Sequence, residues 1–226
     1  MLAGAAVMHV REQRSVLASP EKQILVWMAQ RLPRWVHSDH LTLLAFVAML
    51  VSGLAYWMAS RNRLALLVAV LGLALNWLGD SLDGTLARVR NRQRPTYGFY
   101  VDHALDLFSS LFLLGGLALS GYMSPLIALG LLAAYMMVNA EEFLATHARR
   151  VFHLSFLGFG PTELRIILAI GTLYVLVADR WVDWGALGVF RLFDVGGMVA
   201  IGGLAVKVVA SVVRNARALY QAERLP

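Results

Sequence analysis

The strongest constraint in this chain is a series of apolar runs, each about 18–20 residues long. That is the length at which a helix crosses the hydrocarbon core of a bilayer. Six such runs lie at roughly 41–59, 64–87, 98–119, 125–145, 161–178 and 194–213. Backbone groups in lipid must be satisfied within the segment, so runs of this length are expected as helices. Hydrophobic residues make up 59% of the 226 positions and charged residues 15%, with a mean hydropathy of +0.64. A soluble domain usually carries about 25% charge, so a disordered tail, a coiled coil and an ordinary soluble enzyme are excluded. The absence of cysteine excludes disulfides, thiolate metal sites and cysteine nucleophiles. The expectation is an all-α integral membrane protein, a single membrane-embedded domain over residues 1–226 with six transmembrane helices.

Residues 1–38 read as a tail and a surface helix. Met1 to Met8 is apolar but lacks the charged-first order of a secretory signal. Ser19-Pro20-Glu21 is a plausible helix start for a segment over 20–36. Ile24, Met28 and Leu32 recur at four-residue spacing there, with Trp27 and Trp35 suited to the headgroup layer. The pattern predicts an amphipathic helix lying on the membrane.

Arg and Lys set the orientation. Five precede the first span, four lie in the 88–97 loop, two in the 146–160 loop and three in the C-terminal tail. Against these fourteen stand Arg61, Arg63, Arg180 and Arg191 on the other face. The excess places both termini and the two arginine-bearing loops in the cytosol. The net charge of +6 is spread over span flanks, not along one stripe. It therefore points to anionic headgroups or a phosphorylated substrate, and nucleic acid is not expected as a partner.

The informative stretch is GDSLDGTLARVRNRQRPTYGFYVDHALD, from Gly79 to Asp106. Asp80 and Asp83 are three apart at the end of the second span, and Asp102 and Asp106 four apart at the start of the third. Each spacing puts both carboxylates on one helix face. The short linker makes the two helices antiparallel neighbours, so four carboxylates are expected to converge. A carboxylate near lipid costs about 2.5–3.5 kcal/mol on insertion scales, and four repel one another. Divalent cations relieve this, and hard oxygen ligands suit Mg²⁺ or Mn²⁺, with Ca²⁺ also accommodated. Two such ions would clamp a diphosphate. Gly84, Ala87 and Gly98 keep the surface low for a nucleotide, and Arg88 offers a fixed positive charge to a phosphate. Any single aspartate in a span has a structural alternative as a helix-pairing group, and the glycines one as packing contacts. Four carboxylates at these spacings favour the functional reading.

The pattern Asp80-x2-Asp83-Gly84-x2-Ala87-Arg88, then Gly98-x3-Asp102-x3-Asp106, resembles the signature of the CDP-alcohol phosphotransferases. It departs in one place: nine residues separate Arg88 from Gly98, where that signature has eight. The resemblance implies a six-helix bundle, usually dimeric, that transfers a phosphoalcohol from a CDP-linked donor to an acceptor hydroxyl and releases CMP. It implies that Asp80, Asp83 and Asp102 hold two divalent cations. Asp106 would complete the site and act as general base on the acceptor, with Gly84, Ala87 and Arg88 lining the nucleotide and diphosphate pocket. His103 resembles the residue after the third aspartate in the choline/ethanolamine phosphotransferase branch, as a second candidate base or a helix-end histidine. The chain length is similar to that of bacterial lipid synthases using CDP-diacylglycerol, implying an inner-membrane protein.

Other charges near the spans are Glu141, Glu142, Glu163 and Arg165. Glu163 in a first helical turn complements the helix dipole. Glu141 or Glu142 are expected to pair with Arg149, Arg150 or Arg165. Convergence of those three arginines would mark an acceptor site for a phosphorylated alcohol. Two readings of another class compete: a divalent-cation transporter, which would place carboxylates near the midplane, and a membrane scaffold dimerising through Gly196-x3-Ala200. Neither explains four aspartates at the cytosolic ends beneath outer halves that are nearly all apolar.

Overall fold

The computed structural model describes residues 11–12, 18–149, 152–153, 161–178, 180–183, 185 and 188–223. Seven helices make up most of it: α1 (Ala18–Arg31), α2 (Ser38–Ala59), α3 (Ala65–Val89), α4 (Pro95–Ser120), α5 (Pro125–Arg149), α6 (Pro161–Val177) and α7 (Leu192–Ala222). The all-α expectation needs a small amendment, because two short strand pairs join the helices. β1 (Arg11–Glu12) runs parallel to β2 (Phe152–His153), and β3 (Trp181–Asp183) pairs with β4 (Val189–Arg191) as an antiparallel hairpin between α6 and α7.

Among the described residues, five helices, α2 to α5 and α7, are long and apolar enough to cross a membrane. The sixth expected span, α6, has 17 residues, about 25 Å at 1.5 Å per residue, short of a hydrocarbon core of about 30 Å. The 194–213 run also proves longer than expected, since α7 continues to Ala222. Its outward side chains are apolar and uncovered, as with Val199 at 71% and Val209 at 63% exposure, which is the surface a hydrocarbon solvent favours. The protein is an integral membrane protein on this architecture.

α2 packs against both α3 and α4, α5 against α4 and α7, and α6 against α3. Small residues allow the closest approaches. A side chain at Gly79 would meet the Leu41 carbonyl at 2.5 Å and the Ala45 nitrogen at 2.9 Å, so α3 lies backbone to backbone on α2 one residue before Asp80. Asn76, one turn earlier, donates to the Ala45 carbonyl at 3.0 Å. Replacing Gly79 by Leu should force these helices apart. Overpacking of about 1–3 kcal/mol should lower the unfolding midpoint in lipid micelles by about 5 °C, read by fluorescence-monitored melting. An unchanged midpoint would contradict this packing.

An apolar cluster including Tyr56, Leu66, Ala69, Leu117, Val175 and Phe193 fills the bundle at the end away from the arginine-rich α3–α4 loop. Tyr56 and Thr172 share a 2.5 Å hydrogen bond within it, tying α2 to α6. The start of α7 is held there by Asp194, which accepts from the Ser124 N–H and hydroxyl, both at 2.6 Å. Arg63 donates to the Val175 and Ala178 carbonyls and so closes the C-terminal end of α6, where a cation complements the helix dipole.

α1 differs from the expected surface helix in two respects. It ends at Arg31 instead of residue 36, because Pro33 disfavours helical conformation in the residue before it. Its buried stripe is Leu25 and Ala29, backed by Met28 and Leu32 against Leu82 and Leu86 of α3; Ile24 faces outward at 54% exposure. The helix is therefore docked on the bundle while Trp27 and Trp35 remain exposed. Arg90 secures its far end, donating to the Val36, Leu32 and Pro33 carbonyls at 2.5, 2.8 and 3.0 Å.

Candidate active site

The carboxylates lie where α3 ends and α4 begins. Asp83 is 7% exposed, and α2 supplies its support. Thr42 donates to its Oδ2 at 2.7 Å, and Ser38 donates to its backbone carbonyl at 2.8 Å. The Gly84 N–H donates to its other carboxylate oxygen. Ser38 and Thr42 are four apart in the first turns of α2, so both project onto the same turn of α3. Sequence reading missed this pair; two hydroxyls at helical spacing beside a span boundary were the available signal.

Asp80 is ion-paired with Arg165 of α6, Nη2 to Oδ2 at 2.6 Å, with both side chains largely shielded. Asp106 of α4 is half-buried opposite this pair, and the charges acting on it are those of Asp80, Arg165 and Asp83. Asp80, Asp83, Asp106 and Arg165 are thus brought into one site by α3, α4 and α6. Tyr135 of α5 adjoins it, in the field of Asp106, Glu142 and Arg165, and was not anticipated from sequence. Asp102 lies one turn before Asp106, half-buried.

Among the described residues, no three acidic or histidine side chains lie close enough to hold a metal ion. Like charges repel, and individual carboxylates are turned toward protein donors: Asp80 to Arg165, Asp83 to Thr42 and the Gly84 amide. The donor chemistry nonetheless fits a hard divalent cation, being carboxylate oxygen with no thiolate.

The basic residues divide by task. Arg88 folds over Gly84, where an added side chain would lie 3.3 Å from its Nη1, and donates to Thr85 at 3.0 Å. It is exposed at the mouth of the site, with Ala87 partly exposed beside it. Gly98, in the first turn of α4, has open space where a side chain would sit. Arg90 is occupied with α1, and Arg94 pairs with Asp39 of α2 and lies over the Tyr97 ring at 4.2 Å. The linker holds Asn91 at φ 53, a left-handed conformation that asparagine tolerates, and Pro95 opens α4. The long linker is absorbed in this turn, leaving Gly98, Asp102 and Asp106 on one continuous helix.

His103 donates from Nδ1 to the Phe99 carbonyl at 2.7 Å, and its ring lies between Phe99 and Phe143, centroids 4.1 and 5.8 Å away. A carbonyl oxygen accepts, so Nδ1 carries a proton. Of the arginines expected as partners of Glu141 and Glu142, Arg165 is paired with Asp80 instead. Glu142 takes Lys207 at 2.5 Å and Glu141 takes the Asn215 amide at 2.7 Å, both on α7. These acids face the α5–α7 contact, which leaves Arg165 to Asp80. Glu163 is half-buried in the first turn of α6. The side chains of Arg149 and Arg150 lie outside the described residues, so the expected three-arginine acceptor site has only Arg165 placed.

A model of the CDP-alcohol phosphatidyltransferase family matches residues 35–211, more than three quarters of the chain. The chain belongs to the CDP-alcohol phosphatidyltransferase family. The match spans α2 to α6 and most of α7 and contains every carboxylate of the site, while α1 precedes it. No curated protein matches the sequence significantly. Membership makes the protein a membrane transferase of lipid synthesis, one that moves a phosphoalcohol group from a CDP-alcohol to an alcohol acceptor. Divalent metal ions are used by CDP-alcohol phosphatidyltransferases as a family.

Proposed function

We propose that this protein transfers a phosphoalcohol from CDP-diacylglycerol or a CDP-aminoalcohol to an acceptor hydroxyl, with CMP as leaving group, at a metal-dependent site facing the cytosol. The observation that carries this reading is the meeting of Asp80, Asp83, Asp106 and Arg165 at the arginine-rich end of the bundle. By sequence position, the flanks on that side carry fourteen of the eighteen Arg and Lys outside the expected spans, which favours the cytosolic side. The apolar cluster fills the opposite end, which favours an enzyme over a cation transporter. α6 serves as a sixth, short crossing, with both termini cytosolic, in a bacterial inner membrane. A homodimer is the assembly the family resemblance implies.

In this reading Asp80, Asp83, Asp102 and Asp106 hold two divalent cations, Mg²⁺ or Mn²⁺, which when bound supply charge neutralisation for the diphosphate. Thr42 and Ser38 fix Asp83, so that its carboxylate keeps one orientation. Arg88 sits over Gly84 at the open mouth, positioned for a phosphate of the donor, with Ala87 and Gly98 leaving room for the nucleotide. Asp106 takes the proton of the acceptor hydroxyl as it attacks phosphorus, and the bond to CMP breaks. His103 is the second candidate base through Nε2, one helical turn from Phe99. Arg165, with Glu163 two residues earlier on α6, adjoins the acceptor side and admits a phosphorylated alcohol.

The experiment is a substrate panel in lipid micelles with the product lipid identified by mass spectrometry. CDP-diacylglycerol is offered with glycerol phosphate, inositol phosphate and other alcohols, and CDP-choline or CDP-ethanolamine with diacylglycerol. One productive pair assigns the branch; no product from any pair by folded protein contradicts the transferase reading of this site.

A further inference from the structure

Glu21 stands outside the segment that matches the family, and in sequence it is only an acid at a helix start. In the structure its Oε1 accepts three hydrogen bonds from two other helices. Trp77 Nε1 donates at 2.8 Å and the Ser81 hydroxyl at 3.3 Å, both from α3, and the Thr162 hydroxyl donates at 3.1 Å from α6. Trp77 and Ser81 bracket Asp80, and Thr162 is one turn before Arg165. The two helices joined by Glu21 are therefore the two that form the Asp80–Arg165 ion pair. Just past its other end Arg90 holds the Leu32, Pro33 and Val36 carbonyls, and the apolar stripe of α1 is sunk against α3. α1 is thus fastened at both ends, and one fastening point is shared with α6.

We propose that Glu21 is a positioning residue: its carboxylate sets the start of α6 against α3 and so places the Arg165 guanidinium on Asp80. The role follows from chemistry and leverage. A carboxylate accepts several hydrogen bonds at once, and bonds to a charged acceptor are about twice as strong as neutral ones. α6 begins at Pro161, with little helix before Thr162 to hold it otherwise. Docking of α1 thereby becomes a condition of a formed site. This inference rests on Asp80 and Arg165 being site residues.

The test uses the cysteine-free chain in lipid nanodiscs, with spin labels at Gln93→Cys beside α3 and at the exposed Leu164→Cys on α6. The expected distance distribution is narrow, broadens in Glu21→Ala, and stays narrow in Glu21→Gln, whose amide oxygen still accepts. Thr162→Val, which removes only the α6 donor, should broaden it likewise if Glu21→Ala fails to insert. Alongside, Glu21→Ala should lower kcat/KM for CMP release about tenfold with Arg165 present and less than twofold with Arg165→Ala. An unbroadened distribution in Glu21→Ala or Thr162→Val overturns the proposal, as do losses that simply multiply in the double variant. If the parent protein released no CMP, the transferase reading would fall, and the label distances would still decide the role of Glu21.

Discussion

Asp106→Asn should reduce CMP release about a thousandfold while leaving the protein inserted and monodisperse in lipid micelles. Loss of a general base costs about 10²- to 10⁴-fold, and asparagine keeps the shape of the side chain but cannot take the acceptor proton. Asp106 on α4 lies in the field of the Asp80 and Asp83 carboxylates of α3 and the Arg165 guanidinium of α6. His103 lies one turn earlier on α4, with its Nδ1 bonded to its own helix. If His103 were the base, Asp106→Asn would retain more than a tenth of the activity and His103→Asn would lose it. Steady-state CMP release by the two variants, measured beside circular dichroism, separates these outcomes.

Removal of divalent cations should have an effect of similar size. Dialysis against EDTA should bring CMP release to background, and Mg²⁺ or Mn²⁺ should restore it. The reason is electrostatic. Four aspartates lie within 27 residues at the membrane boundary, and Arg165 is the cation paired with Asp80 among them. A doubly charged diphosphate cannot approach such a site without further positive charge, and the oxygen donors select hard cations. Full activity after chelation, at undetectable residual metal, would contradict the proposed site.

How far the sequence could be read depended on whether a signal was local. The apolar runs located the helices to within a few residues at most ends, because hydrophobic length in a bilayer is a one-dimensional property. The exceptions have local causes. α1 stops short at Pro33, and α7 runs on to Ala222 because nothing in its arginine-bearing tail breaks a helix. The helix face of each carboxylate pair was legible because three- and four-residue spacings have a fixed geometric meaning, whereas the expected direct pairing of α3 and α4 was not, since both pack mainly against α2. Contacts between distant segments were not legible. Thr42 reaches Asp83 across 41 positions, Arg165 reaches Asp80 across 85, and Thr162 reaches Glu21 across 141. Such contacts depend on helix rotation about the bundle axis, which hydropathy does not encode. The α7 partners of Glu141 and Glu142 were not legible for the same reason: rotation of α5 turns both acids toward α7, where Lys207 and Asn215 receive them.

The most direct test of the central claim is CMP release by the purified protein in lipid micelles with Mg²⁺, followed with and without acceptor alcohol. The account predicts CMP that appears only with an acceptor, in equal amount to the new phosphodiester product. CMP released at the same rate without acceptor, or none from any CDP-alcohol, would contradict it.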